Sequence, residues 1–271
     1  MVKFLSFLLV ACPIVIGATE ALHPQFPPAT GISIDQSLEL DDDVYSTDLT
    51  LSSEYAFSPA FSIYADASFR FLSYSYEYST KGYIHNYCNL HVNGFNETYV
   101  GAKALLYRNA GLNIGWRFPP GEGSQKDRFH KLNIEPFTFL HVSRRLLLAT
   151  SLRYNLFLEE SNYKPGDEIG FTASFSWKPF WNFQRNTGWE FTETFLYQYR
   201  INESENRNLK SPWSKMDDKY KGMKIKFDLA RSILIYSKTF SFGAFYEIHK
   251  GTLFGFETGH KIGFKIKVAS N

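Results

Sequence analysis

The sequence predicts an all-β protein, a single up-and-down antiparallel transmembrane β-barrel of about 12 strands. Three observations lead to this fold. Long segments alternate between apolar and polar residues, and the links between them alternate between short and long. No segment after the N-terminus approaches the roughly 20 apolar residues that a membrane helix needs. If the chain spans a membrane, it must therefore do so with strands.

The clearest alternation lies between Asp48 and Phe71, where two runs are separated by Ser58-Pro59. Because strand side chains point alternately to the two faces, each run has one apolar and one polar face. Proline lacks the N–H that a sheet hydrogen bond requires, and it favours a turn. The segment therefore predicts two long antiparallel strands joined at Ser58-Pro59.

The same alternation recurs along the rest of the chain and is most regular from Ile169 to Trp177. Asn109 and Gly111 in one short link are typical of a tight hairpin. Glu193 interrupts an apolar row, and the pattern offers no account of it. Twelve strands are predicted, over residues 31–40, 48–57, 61–71, 99–107, 112–118, 132–142, 146–158, 169–177, 189–201, 223–229, 240–248 and 262–268.

The links between the predicted strands alternate in length. Short or medium links occur near residues 58, 108, 143, 178 and 233. The intervening links are mostly longer and more polar, and long loops are predicted at Glu77–Asn96, Pro119–His130 and Asn202–Tyr220. Short turns at one end and long loops at the other are typical of a membrane-spanning barrel.

The N-terminus is predicted to direct export. Residues 1–21 read as a signal peptide, with Lys3 before an apolar segment and small residues at the cleavage site. A lipoprotein signal ending at Cys12 is the rival interpretation. Residues 22–30 are then a Pro-rich periplasmic lead-in, and residues 31–271 form the β-barrel domain. Cys88 is the one cysteine beyond the signal, so no internal disulfide is expected.

Alternation alone leaves open whether the apolar face meets lipid or the core of a soluble β-sandwich. The length of the runs favours a membrane, since tilted membrane strands need about 9–11 residues and globular strands commonly have about five or six. Aromatic residues also concentrate near strand ends, as at Trp116, Trp177 and Trp189. This distribution is typical of an interfacial girdle.

Through these features, the chain resembles bacterial outer-membrane β-barrel proteins over roughly residues 31–268. The resemblance is architectural and identifies no subfamily. It implies localisation in the outer membrane and contact with outer-membrane lipid. Such proteins usually end in an aromatic residue, whereas the last aromatic residue here is Phe264 and the chain ends at Asn271.

Charged residues on the polar face are predicted to line the barrel lumen. Asp66 and Arg70 are expected to lie close enough to pair. An anion-friendly pore and a lumen plugged by paired charges are both consistent with twelve strands. The predicted lumen-lining residues are Asp66, Arg70, Lys103, Arg117, Glu135, Arg153, Lys224, Lys226, Asp228, Lys261 and Lys265.

The predicted function is a passive channel or transport barrel for small polar solutes, with a mixed-charge, mildly basic lumen. The alternative is a structural or surface-interaction barrel that meets partners through its extracellular loops. A membrane-embedded lipid hydrolase and a soluble secreted β protein are further alternatives. The oligomeric state is left open.

No enzymatic activity, cofactor, metal or nucleic-acid partner is predicted. The sequence has no GxSxG motif, phosphate-binding glycine loop or CxxC pair, and its histidines lack the spacing of metal ligands. His141-Val142-Ser143 resembles the His-x-Ser of outer-membrane phospholipases and lipid A deacylases, in which His activates Ser for acyl transfer. In that family an Asn follows the Ser, whereas Arg144 stands here.

Overall fold

A computed structural model describes most of the predicted barrel domain. The described residues are 27–41, 44–80, 84–118, 130–158, 163–164, 166–201, 205–206, 221–251 and 256–270. The predicted signal peptide, residues 1–21, lies outside them. No helix in these ranges is long and apolar enough to cross a membrane.

Twelve long strands form the wall of the molecule, and three two-residue strands lie in the links between them. The long strands are β1 (Gly31–Asp41), β2 (Val44–Ser58), β3 (Phe61–Thr80), β4 (Ile84–Tyr107), β5 (Ala110–Phe118), β6 (Lys131–Ser143), β7 (Leu146–Phe157), β9 (Glu168–Trp177), β11 (Thr187–Arg200), β13 (Lys221–Ile235), β14 (Lys238–Gly251) and β15 (Phe256–Ser270). The short strands are β8 (Tyr163–Lys164), β10 (Trp181–Asn182) and β12 (Glu205–Asn206).

Each long strand pairs antiparallel with the next long strand in the sequence, and β1 pairs with β15 to close the sheet. The closing register runs from Gly31 opposite Ala269 to Leu40 opposite His260. Closure leaves no long strand with an unpaired edge, as a membrane-spanning sheet requires. The predicted twelve-stranded, up-and-down antiparallel barrel is confirmed.

The alternation of side chains separates an apolar outer surface from a largely polar interior, which also contains an apolar cluster of Phe137, Phe139, Leu147 and Ala149. On the outside, Leu51, Phe61 and Ile63 are between 41 and 46% exposed. On the opposite face of the same strands, Asp48 and Glu54 are buried. An apolar core would show the reverse arrangement, so the face assignment predicted for this hairpin is correct.

Glu193 is an exception on the outer surface. Its side chain is exposed on β11, where it stands opposite Phe175 of β9 and Phe227 of β13. Nothing in the structure explains a carboxylate at this position.

The predicted loop Glu77–Asn96 is wrong. In the structure, β3 continues to Thr80 and β4 begins at Ile84, with Tyr74 opposite Leu90 and Tyr78 opposite Asn86. Pairing between strands satisfies the backbone N–H and C=O groups whatever side chains the strands carry. The two strands can therefore extend beyond the residues in which apolar and polar side chains alternate regularly. The other two predicted long loops, Pro119–His130 and Asn202–Tyr220, end where the structure begins the next long strand. That strand is β6, from Lys131, in the first case and β13, from Lys221, in the second. Most of those two loops lies outside the described residues.

One end of the barrel, which we call the short-turn end, carries tight turns between neighbouring strands. Two-residue turns join β2 to β3, β4 to β5, β6 to β7 and β13 to β14. In the last of these turns, Tyr236 and Ser237 both have positive φ angles, 48° and 66°, as type I′ hairpin turns require. The link between β9 and β11 is longer and contains β10. There Gly188, with φ of 152°, passes too close to Phe180 and Trp181 for a Cβ to fit.

The end of the Pro-rich lead-in is packed against the same end of the barrel. Pro28, Ala29 and Thr30 are buried. The Ala29 N–H donates to Glu54 Oε1 at 3.2 Å, and the Ala56 N–H donates to Thr30 Oγ1 at 2.9 Å. These contacts anchor the start of β1 beside β2.

Candidate functional site: the charged interior

Every second residue of each strand points inward. Many of these inward side chains are polar or charged, and they fill the interior densely. These side chains form two regions. One, which we call the closed region, lies along β2 to β7 and is mostly buried, and the Arg153 side chain within it is 22% exposed. The other lies along β13, β14, β15 and the first three strands, and its charged groups are partly exposed.

The closed region begins with an ion pair close to the short-turn end. Lys103 Nζ lies 3.1 Å from Glu54 Oε1 and 3.2 Å from Oε2, and both side chains are 1% exposed. Ser62 Oγ donates to the same carboxylate at 2.6 Å. Glu54 therefore joins β2, β3, β4 and the Ala29 backbone in one buried cluster.

A second cluster in the closed region surrounds Glu135 of β6. Its carboxylate accepts from Ser151 Oγ, from Asn113 Nδ2 at 3.4 Å and from the Arg153 guanidinium at 3.2–3.3 Å. Arg153 and Ser151 are on β7 and Asn113 is on β5, so three neighbouring strands converge on one carboxylate. The charge of this buried group is thus both paired and hydrogen-bonded, as a low-dielectric site requires.

Tyrosine and amide side chains extend this cluster. Tyr64 donates to Asn113 Oδ1 at 2.5 Å, and Tyr99 donates to Asn133 Oδ1 at 3.0 Å. Each of these bonds skips a strand, from β3 to β5 and from β4 to β6. Such bonds require the side chains to lean across the interior, so the lumen is narrowed on this side.

The accessible region presents cations to water. The cationic side chains of Arg70, Lys224, Lys226, Lys261 and Lys265 are 20–32% exposed. Each has a carboxylate partner within 2.7–3.6 Å. Those partners are Asp35, Asp48, Asp228 and Glu247, and they are only 5–22% exposed.

The expected pairing of Asp66 with Arg70 is wrong. Arg70 instead makes a two-bond pair with Asp48, with Nε–Oδ1 at 2.7 Å and Nη2–Oδ2 at 2.8 Å. The register explains this, because Asp48 of β2 stands directly opposite Arg70 of β3. Asp66 instead stands directly opposite Ser52 of β2. Four residues along one strand span about 13 Å, too far for a direct pair.

The remaining predicted residues are found in these two regions. Lys261 Nζ lies 2.8 Å from Asp48 Oδ2 across the intervening strand β1. Lys265 Nζ lies 3.6 Å from Asp35 Oδ2. Arg117 lies with its guanidinium carbon 5.9 Å from the centre of the Tyr99 ring. The structure thus places most of the predicted residues in ion pairs, whereas Arg117 contacts the Tyr99 ring and Asp66 lies opposite Ser52.

Several members of the networks were missing from the predicted set. The alternation of the sequence already placed Glu54, Asp48 and Tyr64 on the polar faces of their strands. Alternation does not show, however, which polar residues contact one another. Glu168 is a further example. Its carboxylate accepts hydrogen bonds from the side-chain amides of Asn155, at 3.2 Å, and of Gln198. It also forms an ion pair with the Arg200 guanidinium at 3.3 Å. Its position as the first residue of β9 made it look like part of a link.

His141 and Ser143 lie at the exposed short-turn end of β6. Ser143 Oγ accepts from the Arg145 N–H at 3.2 Å, which is the geometry of a polar turn. His141 contacts the Phe139 ring at 5.8 Å between centroids. No hydrogen bond joins His141 to Ser143 in this described segment, so the pair lacks the base-to-nucleophile contact of an activated serine.

Comparison with solved structures identifies the architecture. An outer-membrane channel from Pseudomonas putida F1 aligns with 93% of this chain and 100% of its own length, with a TM-score of 0.60 and 9% identity. The fold is that of a bacterial outer-membrane β-barrel. The translocator domain of the autotransporter NalP from Neisseria meningitidis aligns with 93% of this barrel and 90% of its own length, with a TM-score of 0.51 and 8% identity. For the NanC porin these shares are 89% and 99%, with a TM-score of 0.50 and 9% identity.

The relationship is visible in the fold rather than in the sequence. No family model matches this barrel, and no curated protein matches its sequence. The closed sheet and its apolar outer surface place the chain in the outer membrane, the localisation that the sequence predicted. The subfamily is not identified.

Proposed function

We propose that this outer-membrane barrel is a passive channel or transport barrel for small polar solutes, with a mixed-charge and mildly basic lumen. The observation that carries the proposal is the unequal exposure of the interior charges. Five cations are 20–32% exposed, while the carboxylates that pair with them are 5–22% exposed. A solute in the lumen would therefore meet mainly ammonium and guanidinium groups.

The closed region supports a narrow passage on one side of the lumen. Tyr64, Tyr99 and the clusters around Glu54 and Glu135 occupy the interior along β2 to β7. The partly exposed charges then border the remaining space. Rings of charge set selectivity in channels, and cations focused in a narrow passage raise the local concentration of anions.

Ion selectivity tests this proposal. We expect Lys224→Gln to lower the permeability ratio of chloride to potassium roughly two- to fivefold, since a unit charge about 4 Å from an ion in water contributes about 1 kcal/mol. The reversal potential of the refolded barrel in planar bilayers under a KCl gradient measures this ratio. Lys250→Gln is the matched control, because Lys250 is exposed beside the buried His249 and points to the outside.

A lumen that conducts in discrete steps and loses anion preference only in Lys224→Gln agrees with the proposal. Absence of conductance would contradict the channel, and an equal shift in both variants would contradict the role of the interior cations. The similarity of this fold to that of the Pseudomonas putida outer-membrane channel supports the proposal that this barrel is a channel.

We further infer that the barrel is not an enzyme and that its outer surface contacts membrane lipid. The geometry of Ser143 supports the first inference, since its hydroxyl is engaged with the turn backbone rather than with His141. We expect the purified barrel to release no fatty acid from phospholipid vesicles above the rate of empty vesicles. Hydrolysis that requires Ser143 would contradict this inference.

A further inference from the structure

We propose that the short-turn end carries a binding pocket for a small organic anion, a molecule with a carboxylate or a phosphate. The pocket lies between the β6–β7 turn and the β9–β11 link. Its cavity has a volume of about 210 Å³. Arg144, Arg145, Lys178 and Trp181 are among the residues that line it.

The walls of the pocket are held together by the backbone. The Lys178 N–H donates to the Arg145 carbonyl at 2.8 Å, which ties the link to the turn. Within the link, the Asn182 side chain accepts from the Gln184 and Arg185 N–H groups at 3.1 and 3.2 Å. Trp181 is 6% exposed, and Lys178 Nζ lies 4.8 Å from the centre of its ring. The link is thus a folded wall rather than a loose connection.

The charges around the pocket leave a positive surplus. Lys178 Nζ lies 3.6 Å from Glu190, which offsets its charge. Arg144 and Arg145 are exposed, and in the described part of the chain neither guanidinium forms an ion pair. Guanidinium groups bind carboxylates and phosphates through paired hydrogen bonds. Two guanidinium groups at the rim of one cavity therefore favour an anion over a neutral solute.

The position of the lining residues favours a soluble anion over a lipid headgroup. Leu147, Ser176 and Lys178 alternate with outward residues such as Leu148 and Trp177, and all three are buried. They belong to the interior face, which places this side of the cavity at the mouth of the barrel.

Equilibrium binding to the refolded full barrel in detergent tests the proposal. The probe is glucuronate, and glucose is its neutral counterpart. We expect glucuronate to bind the parent protein and glucose to bind at least tenfold more weakly. We also expect the double substitution Arg144→Gln/Arg145→Gln to weaken glucuronate binding tenfold or more, since hydrogen bonds to charged groups carry at least that much affinity. Arg108→Gln is the matched control, because Arg108 is exposed in the β4–β5 turn at the same end and does not line the pocket.

Equal binding of glucuronate and glucose would overturn the proposal, and so would parent-like binding by the double variant. Selective binding of dihexanoyl phosphatidylglycerol with no binding of glucuronate would overturn it in favour of a lipid site. The measurement needs no ion flow, so its failure is distinct from failure of the channel proposal.

Discussion

Replacing Lys103 by methionine is expected to cost the barrel about 3–5 kcal/mol of unfolding free energy, the usual penalty for removing one partner of a buried ion pair. The Glu54 carboxylate would keep its hydrogen bonds from Ser62 and Ala29 and lose its counter-charge. Both side chains are 1% exposed, so water offers little compensation. Denaturant-induced unfolding from lipid vesicles, followed by tryptophan fluorescence, measures the change.

The double variant Glu54→Gln/Lys103→Met is the control for this result. Removing both charges leaves no uncompensated ion, and such replacements are often neutral or stabilising. We expect the double variant to regain most of the stability that Lys103→Met loses. Additive losses from the two single substitutions would show that the pair does not act as a unit.

The second large effect is expected on the outer surface. Leu51→Arg places a charge on the apolar face near the middle of β2, where the side chain is 44% exposed. At the bilayer midplane an arginine on this face destabilises outer-membrane barrels by about 2–4 kcal/mol. The same unfolding measurement in vesicles gives the difference.

Thr50→Arg is the matched comparison, because Thr50 directly precedes Leu51 and points to the interior. Its hydroxyl bonds to Ser68 Oγ at 3.1 Å beside the accessible charged region. We expect Thr50→Arg to cost less than half as much as Leu51→Arg. A larger loss for Thr50→Arg would mean that the interior is the apolar medium, which contradicts the face assignment.

The sequence was sufficient to predict the faces of the strands and the number of strands. A period of two determines which residues share a face, as for Leu51 against Ser52, without reference to any other strand. Pro59 and Asn109 mark turns by local chemistry alone, since their backbone preferences do not depend on distant contacts. These features are local, and local features can be read from one sequence.

The pairing of interior charges could not be predicted in the same way. Lys261 meets Asp48 because β15 and β2 both flank β1 in the closed sheet. That contact depends on closure of the barrel and on the register between all twelve strands. The sequence of a single strand specifies neither. The extension of β3 and β4 was missed for a related reason, because backbone pairing holds the strands where side-chain alternation is weak.

We propose that the apolar row of each strand meets lipid and that the polar row meets the lumen. Spin labels placed singly at residues 49–53 of β2 test it directly, in a background where Cys12 and Cys88 are replaced by serine. In lipid vesicles we expect collisions with molecular oxygen to be frequent at Leu49, Leu51 and Ser53, and collisions with a polar nickel chelate to be frequent at Thr50 and Ser52. The opposite phase, or no alternation between the two reagents, would contradict the claim.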